Sequence, residues 1–435
     1  MQFNLMYLRT AASLAGVLAL GLSGSSPAAT SPKTTSVKQV VTGPVAVYWM
    51  STSTSTGLNL TGGGGRPSMS SLMGMMTGGG NATRTLRLQL GSSQPAVGEA
   101  SADHLPSDAL GVGKDLPLYY KRPETQKTVA SPTAERPHDY EPPKGKVLIF
   151  WGCGEHAGPN QPLVIDLSTL TQPDARMAQM MKLMTPIALD SARPPSPDAW
   201  TSYGEWPNSK SSKSLSGDSS LLGAHTIKGN YSPEIDLSLV QAQDFMDPIT
   251  LTGNAKDSAG AVTLTWQPIN RARGIIATAM GGNRDNTVVM WTSSQIQTSF
   301  MGMAPEYLTP NDIDRLLDRK ALLPGSSTSC TVPAEVSGAI EGGMFNLTAY
   351  GEDSNMSYPP RPTDPKLAWN IQWETKIRYR TATGGILGQP MPGSGAQSGG
   401  TSESVNGSAP DKKKKKGFGI GDLIKQGAGA LIPGG

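Results

Sequence analysis

The chain is poor in the residues that most often carry chemistry. Among 435 residues there are two cysteines, Cys153 and Cys330, and four histidines, His104, His138, His156 and His225. The histidines lie far apart, with no pair at helical or zinc-finger spacing, and Cys153 with His156 alone is too small a set for zinc. No cofactor motif stands out, so the expectation is that none is bound. Aromatic residues are 6% of the total. Beyond the first residues, no apolar run reaches the roughly 18 needed to cross a bilayer. A strongly basic body is lacking too. The net charge is +3, but residues 412–435 hold six lysines against one aspartate and Arg9 adds one more positive charge, which leaves the body between them at −3. Such a body offers no phosphate-binding surface, so nucleic acid is excluded as a partner.

What is present begins with an export signal. Arg9 precedes an apolar stretch from Ala11 to Leu22, and small residues from Ser23 to Ala29 follow. Cleavage after Ala28 leaves Ser26 and Ala28 at the positions where signal peptidase needs small side chains. Residues 1–28 are therefore read as a signal peptide, and the mature protein as periplasmic or extracellular, in a bacterium by its composition. No cysteine near the site allows lipid attachment there.

Glycine and proline are concentrated in particular stretches. Residues 51–83 combine Ser-Thr alternation, the runs Gly62–Gly65 and Gly78–Gly80, and a methionine cluster. That composition reads as a disordered insertion, as does the Pro-rich stretch 91–145. Both interrupt an N-terminal mainly-β block at 37–190, in which Arg84 to Leu90 and Lys146 to Trp151 read as strands. Met177, Met180, Met181 and Met184 recur at helical spacing over 174–184. Residues 191–232 read as a linker, 233–381 as a β-sandwich domain, and 382–435 as a disordered basic tail. Val262, Leu264 and Trp266 alternate as in a half-buried strand. Ile275 to Met280 and Thr287 to Trp291 flank a Gly-Gly-Asn-Arg-Asp-Asn turn, which reads as a hairpin. A helix is expected at 310–321, with Thr309 as cap, Pro310 at its first position, Asp312 as the capping-box acid, and Ile313, Leu316 and Leu317 as its buried stripe. The expected fold class is mainly β, sandwich-like, with one or two short helices.

The run Val262-Thr263-Leu264-Thr265-Trp266-Gln267-Pro268 followed by Gly274-Ile275 resembles the second and third strands of a fibronectin type III domain. Phe345-Asn346-Leu347-Thr348-Ala349-Tyr350-Gly351 resembles its sixth. Ile275 stands where that family usually has tyrosine, and the stretch between the segments is longer because it holds the helix. The resemblance covers about residues 261–381 and implies a sandwich that binds or spaces. Three segments, Val45 to Trp49, Val147 to Trp151 and Val288 to Trp291, also share a strand-then-tryptophan pattern. Either buried strands share composition or the two blocks are related.

Chemistry has three candidate seats. The first is Cys153, on a glycine-flanked turn after a strand, with Glu155 and His156 following. A thiol so displayed fits a nucleophile, but Trp151 and Glu155 occupy positions where an elbow wants small residues, and no helix follows to lower its pKa. The other reading is a disulfide between Cys153 and Cys330, expected of an even cysteine count in an exported protein. The second is Met69, Met73, Met75 and Met76, whose thioethers suit Cu(I), although methionine also simply fills gaps. The third is the run Lys412, Lys413, Lys414, Lys415 and Lys416, followed by sparse apolar residues, which suits an anionic membrane or envelope polymer. The leading expectation is an exported, non-catalytic binding or structural protein. The alternatives are a thiol-dependent enzyme and a copper-binding protein.

Overall fold

The computed structural model describes residues 38–57, 82–122, 145–166, 189, 193–298 and 305–389. In chain order its strands begin with β1 (Val41–Thr42), β2 (Ala46–Gly57), β3 (Thr83–Ser92), β4 (Ala102–Leu105), β5 (Leu116–Pro117), β6 (Lys146–Trp151) and β7 (Leu163–Asp166). Next come β8 (Ser202–Trp206), β9 (Gly223–Gly229), β10 (Ile235–Leu239), β11 (Leu251–Lys256), β12 (Val262–Trp266), β13 (Gly274–Gly282) and β14 (Thr287–Thr292). Helix α1 (Pro310–Asp318), β15 (Leu323–Pro324), β16 (Ser329–Val332) and helix α2 (Ala334–Ala339) follow. The last strands are β17 (Met344–Tyr350), β18 (Ser354–Tyr358), β19 (Trp369–Asn370) and β20 (Trp373–Ile386). The protein is mainly β, with two short α-helices among the described residues.

One sheet dominates. Its order is β7-β6-β14-β13-β17-β20-β2-β3-β8, with β15 added on β13 and β18 on β20. A three-stranded sheet, β11-β12-β16, and a four-stranded one, β10-β9-β4-β5, complete the main layers. The central core draws Val262, Leu264 and Trp266 from β12, Ile227 from β9 and Ile235 from β10. It also takes Ile275 and Ala277 from β13 and Tyr48 and Met50 from β2, so the small sheets share one core with the large one. A second cluster, with Ile276, Ile313, Leu316 and Tyr350, seats α1 on the sheet. Because Ile275 and Ile276 enter different clusters, β13 is apolar on both faces, the pattern of a strand covered on two sides.

The division into two blocks and a linker does not hold. Strands β14, β13, β17 and β20 form the middle of the large sheet, and strands from the first block extend both of its edges. On one side β6 pairs parallel with β14, Phe150 opposite Trp291. On the other, β2 pairs parallel with β20 over twelve positions, Trp49 opposite Lys376. Both additions cover edges that would otherwise present unpaired backbone groups. Residues 191–232, expected as a linker, contain β8 and β9, and all described residues fall in one compact unit. Proline and serine content does not report which edge a strand will pair with.

Parts of the expected insertions are ordered. Residues 51–57 continue β2, and Ser51, Thr52, Ser53 and Thr54 are all buried. Thr52 and Thr54 donate to the carbonyls of Arg378 and Met246, while Ser51 and Ser53 accept from Arg378 Nε and Arg380 Nε. Each hydroxyl has a partner, which removes the penalty for burying it. Within 91–145, β4 and β5 form, and β20 runs on to Ile386 where the tail was expected to begin at 382. Residues 58–81, 123–144 and the 174–184 stripe lie outside the described residues.

Helix α1 starts as expected. Thr309 Oγ1 accepts from the Asp312 N–H at 3.1 Å, and the Asp312 carboxylate accepts from the Thr309 N–H at 3.3 Å. Ile313 and Leu316 are buried and Leu317 packs beside them. The helix ends at Asp318 rather than 321. Lys320 takes a left-handed φ of 57°, and the Ala321 N–H turns back to the Leu316 carbonyl at 2.8 Å. That closure is a common helix stop.

Candidate functional site

Strand β6 delivers Cys153 to a turn beside β16, where Cys330 lies opposite Leu264 of β12. The two sulfurs are bonded at 2.07 Å, with Cα atoms 5.3 Å apart. The bridge thus ties the large sheet to the three-stranded sheet. No free cysteine remains, which corrects the nucleophile alternative: the sulfur that would attack is already spent. The residues around it serve attachment. The Gly154 N–H donates to the Thr331 carbonyl at 2.9 Å, and the Glu155 carbonyl accepts from the Ala334 N–H at 3.0 Å. His156 Nδ1 lies 3.1 Å from Glu335 Oε1, and the Ala157 N–H donates to Glu335 Oε2 at 2.9 Å. That N–H is the first reason the Glu335 carboxyl lies below its usual pKa. The pair is largely exposed and joins loop to helix α2.

Two clusters escaped the sequence reading. In the core, Tyr48 Oη, His104 Nδ1, His104 Nε2 and His225 Nδ1 form a chain with contacts of 2.6 and 3.0 Å. It ends where His225 Nε2 meets the Leu221 carbonyl at 2.8 Å. Because a carbonyl only accepts, His225 carries its proton on Nε2. Its Nδ1 then accepts from His104, and His104 accepts from the tyrosine, so the neutral chain satisfies every ring nitrogen. Burial pushes the His104 pKa well below its ordinary value, with His225 adding to the shift, and burial lowers His225 as well. Burial and the neighbouring Tyr231 raise Tyr48.

The second cluster lies on the α1 face of the sheet, where Lys376, Arg378 and Arg380 alternate along β20. Lys376 pairs with Asp353 at 3.0 Å, and Arg380 lies 3.9 Å from Glu306. Arg378 has no carboxylate partner among the described residues. Its guanidinium sits 5.0 Å from the Trp49 ring centroid and 4.2 Å from that of Tyr307, and burial draws its pKa down. Aromatic faces stand in for a counter-ion there. The Lys-x-Arg-x-Arg spacing marks one strand face, but nothing local to it names the tryptophan opposite.

Met69, Met73, Met75, Met76 and Lys412 to Lys416 lie outside the described residues, as does the signal segment. Among the described residues, no group of three or more His, Cys, Asp or Glu is placed to hold a metal ion. Nor is any described helix long and apolar enough to cross a membrane. Compared with known proteins, the chain matches no family model and no curated sequence.

Proposed function

We propose that this protein is exported and serves the cell envelope as a non-catalytic binding or structural element, its basic tail resting on an anionic surface. The observation that carries this reading is the Cys153–Cys330 disulfide. Such bonds persist in oxidising compartments, and this one occupies the thiols that the enzyme alternative requires. The signal features of residues 1–28 point the same way.

The strand order also supports the fibronectin type III resemblance. In sandwiches of that kind the second strand lies in one sheet, while the third pairs with the sixth in the other. Here β12 belongs to the three-stranded sheet, and β13 pairs antiparallel with β17, Ile275 opposite Ala349. Modules of that build rarely catalyse, which favours binding or spacing.

The test is co-sedimentation with anionic vesicles at two salt concentrations, comparing the intact protein with one lacking residues 411–435. The intact protein sediments, less so at higher salt, because charges beyond about 8 Å are screened at physiological ionic strength. The truncated protein stays in solution with its melting temperature unchanged. Equal sedimentation of the two would remove the tail from the proposal. N-terminal sequencing of protein from the native host should begin at Ala29, and retention of residues 1–28 would argue against export.

A further inference from the structure

Strand β18 ends against the start of β20, with Tyr358 directly opposite Trp373. The two rings stack, centroids 5.8 Å apart and planes 17° from parallel. Trp373 is 8% exposed and belongs to the core, whereas Tyr358 is 53% exposed. One face of the phenol therefore rests on a rigid indole and the other is left to solvent. Tyr358 and Trp373 line an open cleft of about 550 Å³, together with Pro359, Asn370, Gln372, and Pro233 and Glu234 of the β9–β10 turn. The volume falls within the range of small-molecule sites, about 300–1,000 Å³.

The polar groups around the ring are held in place but not used up. The Gln372 N–H donates to the Tyr358 carbonyl at 2.7 Å, and its carbonyl accepts from the Ala46 N–H at 3.0 Å. Its backbone is fixed on both sides while its side-chain amide has no partner among the described residues. Asn370 Oδ1 accepts from Thr42 Oγ1 at 2.6 Å, which orients the amide, and its Nδ2 has no partner among the described residues. Glu234 reaches Lys228 only at 3.5 Å, with both side chains about half exposed. The Tyr358 hydroxyl has no partner among the described residues either.

We infer that this cleft binds a neutral oligosaccharide. A pyranose ring offers an apolar C–H face, which packs flat on an aromatic ring, and a rim of hydroxyls that both donate and accept. An exposed tyrosine face edged by two amides and a carboxylate matches both halves of that chemistry. A purely apolar ligand would bury the amides without partners, and an anionic one would meet Glu234. The inference names a ligand class for the binding role proposed above and rests on that role, but it uses a different surface from the lysine tail.

The probes are cellohexaose and the hexamer of N-acetylglucosamine, titrated calorimetrically into the full-length protein. Saturable binding of at least one, little changed by salt, is expected. Tyr358→Ala weakens it about tenfold, the scale of one lost aromatic stack, and Tyr358→Phe keeps most of it. Gln372→Ala weakens it less, and deleting residues 411–435 leaves it unchanged. Because Tyr358 is half exposed, its alanine variant should stay folded at the titration temperature, with only the modest drop in melting temperature that loss of the stack on Trp373 brings. No saturable binding of either sugar overturns the inference, as does binding that Tyr358→Ala leaves intact. Vesicle binding through the tail persists in those cases, so the broader proposal is judged separately. Loss of sugar binding on tail deletion alone would also overturn the cleft.

Discussion

His104 and His225 are 121 positions apart in the chain, yet their imidazoles share a hydrogen bond of 3.0 Å inside the core. Strand β4 pairs antiparallel with β9, which sets His104 opposite Ile227, two residues from His225. The rings meet across that diagonal, within reach for large side chains on one sheet face. Tyr48 of β2 closes the chain from the large sheet, so of its three hydrogen bonds the one from Tyr48 to His104 links the two sheets.

The first prediction concerns acid. Both histidines have folded pKa values depressed below the unfolded value of about 6.5. Between the folded and unfolded values the unfolded chain binds more protons, so stability rises with pH there. Their contribution is complete above about pH 6.5 and is lost as pH falls below it. A melting-temperature series across that range should show the decline, and His104→Gln, which cannot titrate but still donates and accepts, should lessen it, leaving the part that His225 contributes. Tyr48→Phe leaves His104 Nδ1 without a donor and costs about 1–3 kcal/mol in urea unfolding. An unchanged midpoint would mean that the chain runs otherwise.

The second concerns the inter-sheet bridge. It spans a sequence separation of 177, and closing a loop of that length stabilises by up to about 5 kcal/mol in the chain-entropy account. Replacing both cysteines with alanine should lower the urea midpoint substantially, and reductant should then have no further effect. Non-reducing peptide mapping should recover Cys153 and Cys330 in one linked peptide. Two unlinked thiols would return Cys153 to consideration as a nucleophile.

The third tests whether aromatic faces hold Arg378. Arg378→Lys keeps the charge but loses the planar group between Trp49 and Tyr307 and the bond from Nε to Ser51 Oγ. A loss of about 1 kcal/mol is expected from these contacts. Because the site is largely buried, the loss should be nearly the same at low and high salt. A salt-sensitive loss would point to a surface ion pair instead.

Where local pattern and environment agreed, the sequence was readable. Val262, Leu264 and Trp266 alternate and are all buried, and the Thr309–Asp312 capping box forms as its spacing requires. The Cys153–Cys330 pairing was expected from an even cysteine count together with the reading of residues 1–28 as a signal, and the bond is present. The Ser-Thr run of β2 went unread because its hydroxyls are satisfied by Arg378, Arg380 and the Met246 carbonyl, partners nearly two hundred residues or more away.

What the sequence determined by itself was therefore local: that alternating runs such as Val262 to Trp266 are strands, how α1 begins, and which two cysteines were there to pair. Periodicity and capping act over a few residues, so a single chain displays them. Tertiary structure alone decided that β2 and β6 would extend opposite sides of the β14-β13-β17-β20 array by parallel pairing. It alone put Tyr48 beside His104 and laid Tyr358 over Trp373 at the mouth of a cleft. Backbone edges carry no sequence label, and the choice among them is made by which faces can be buried together.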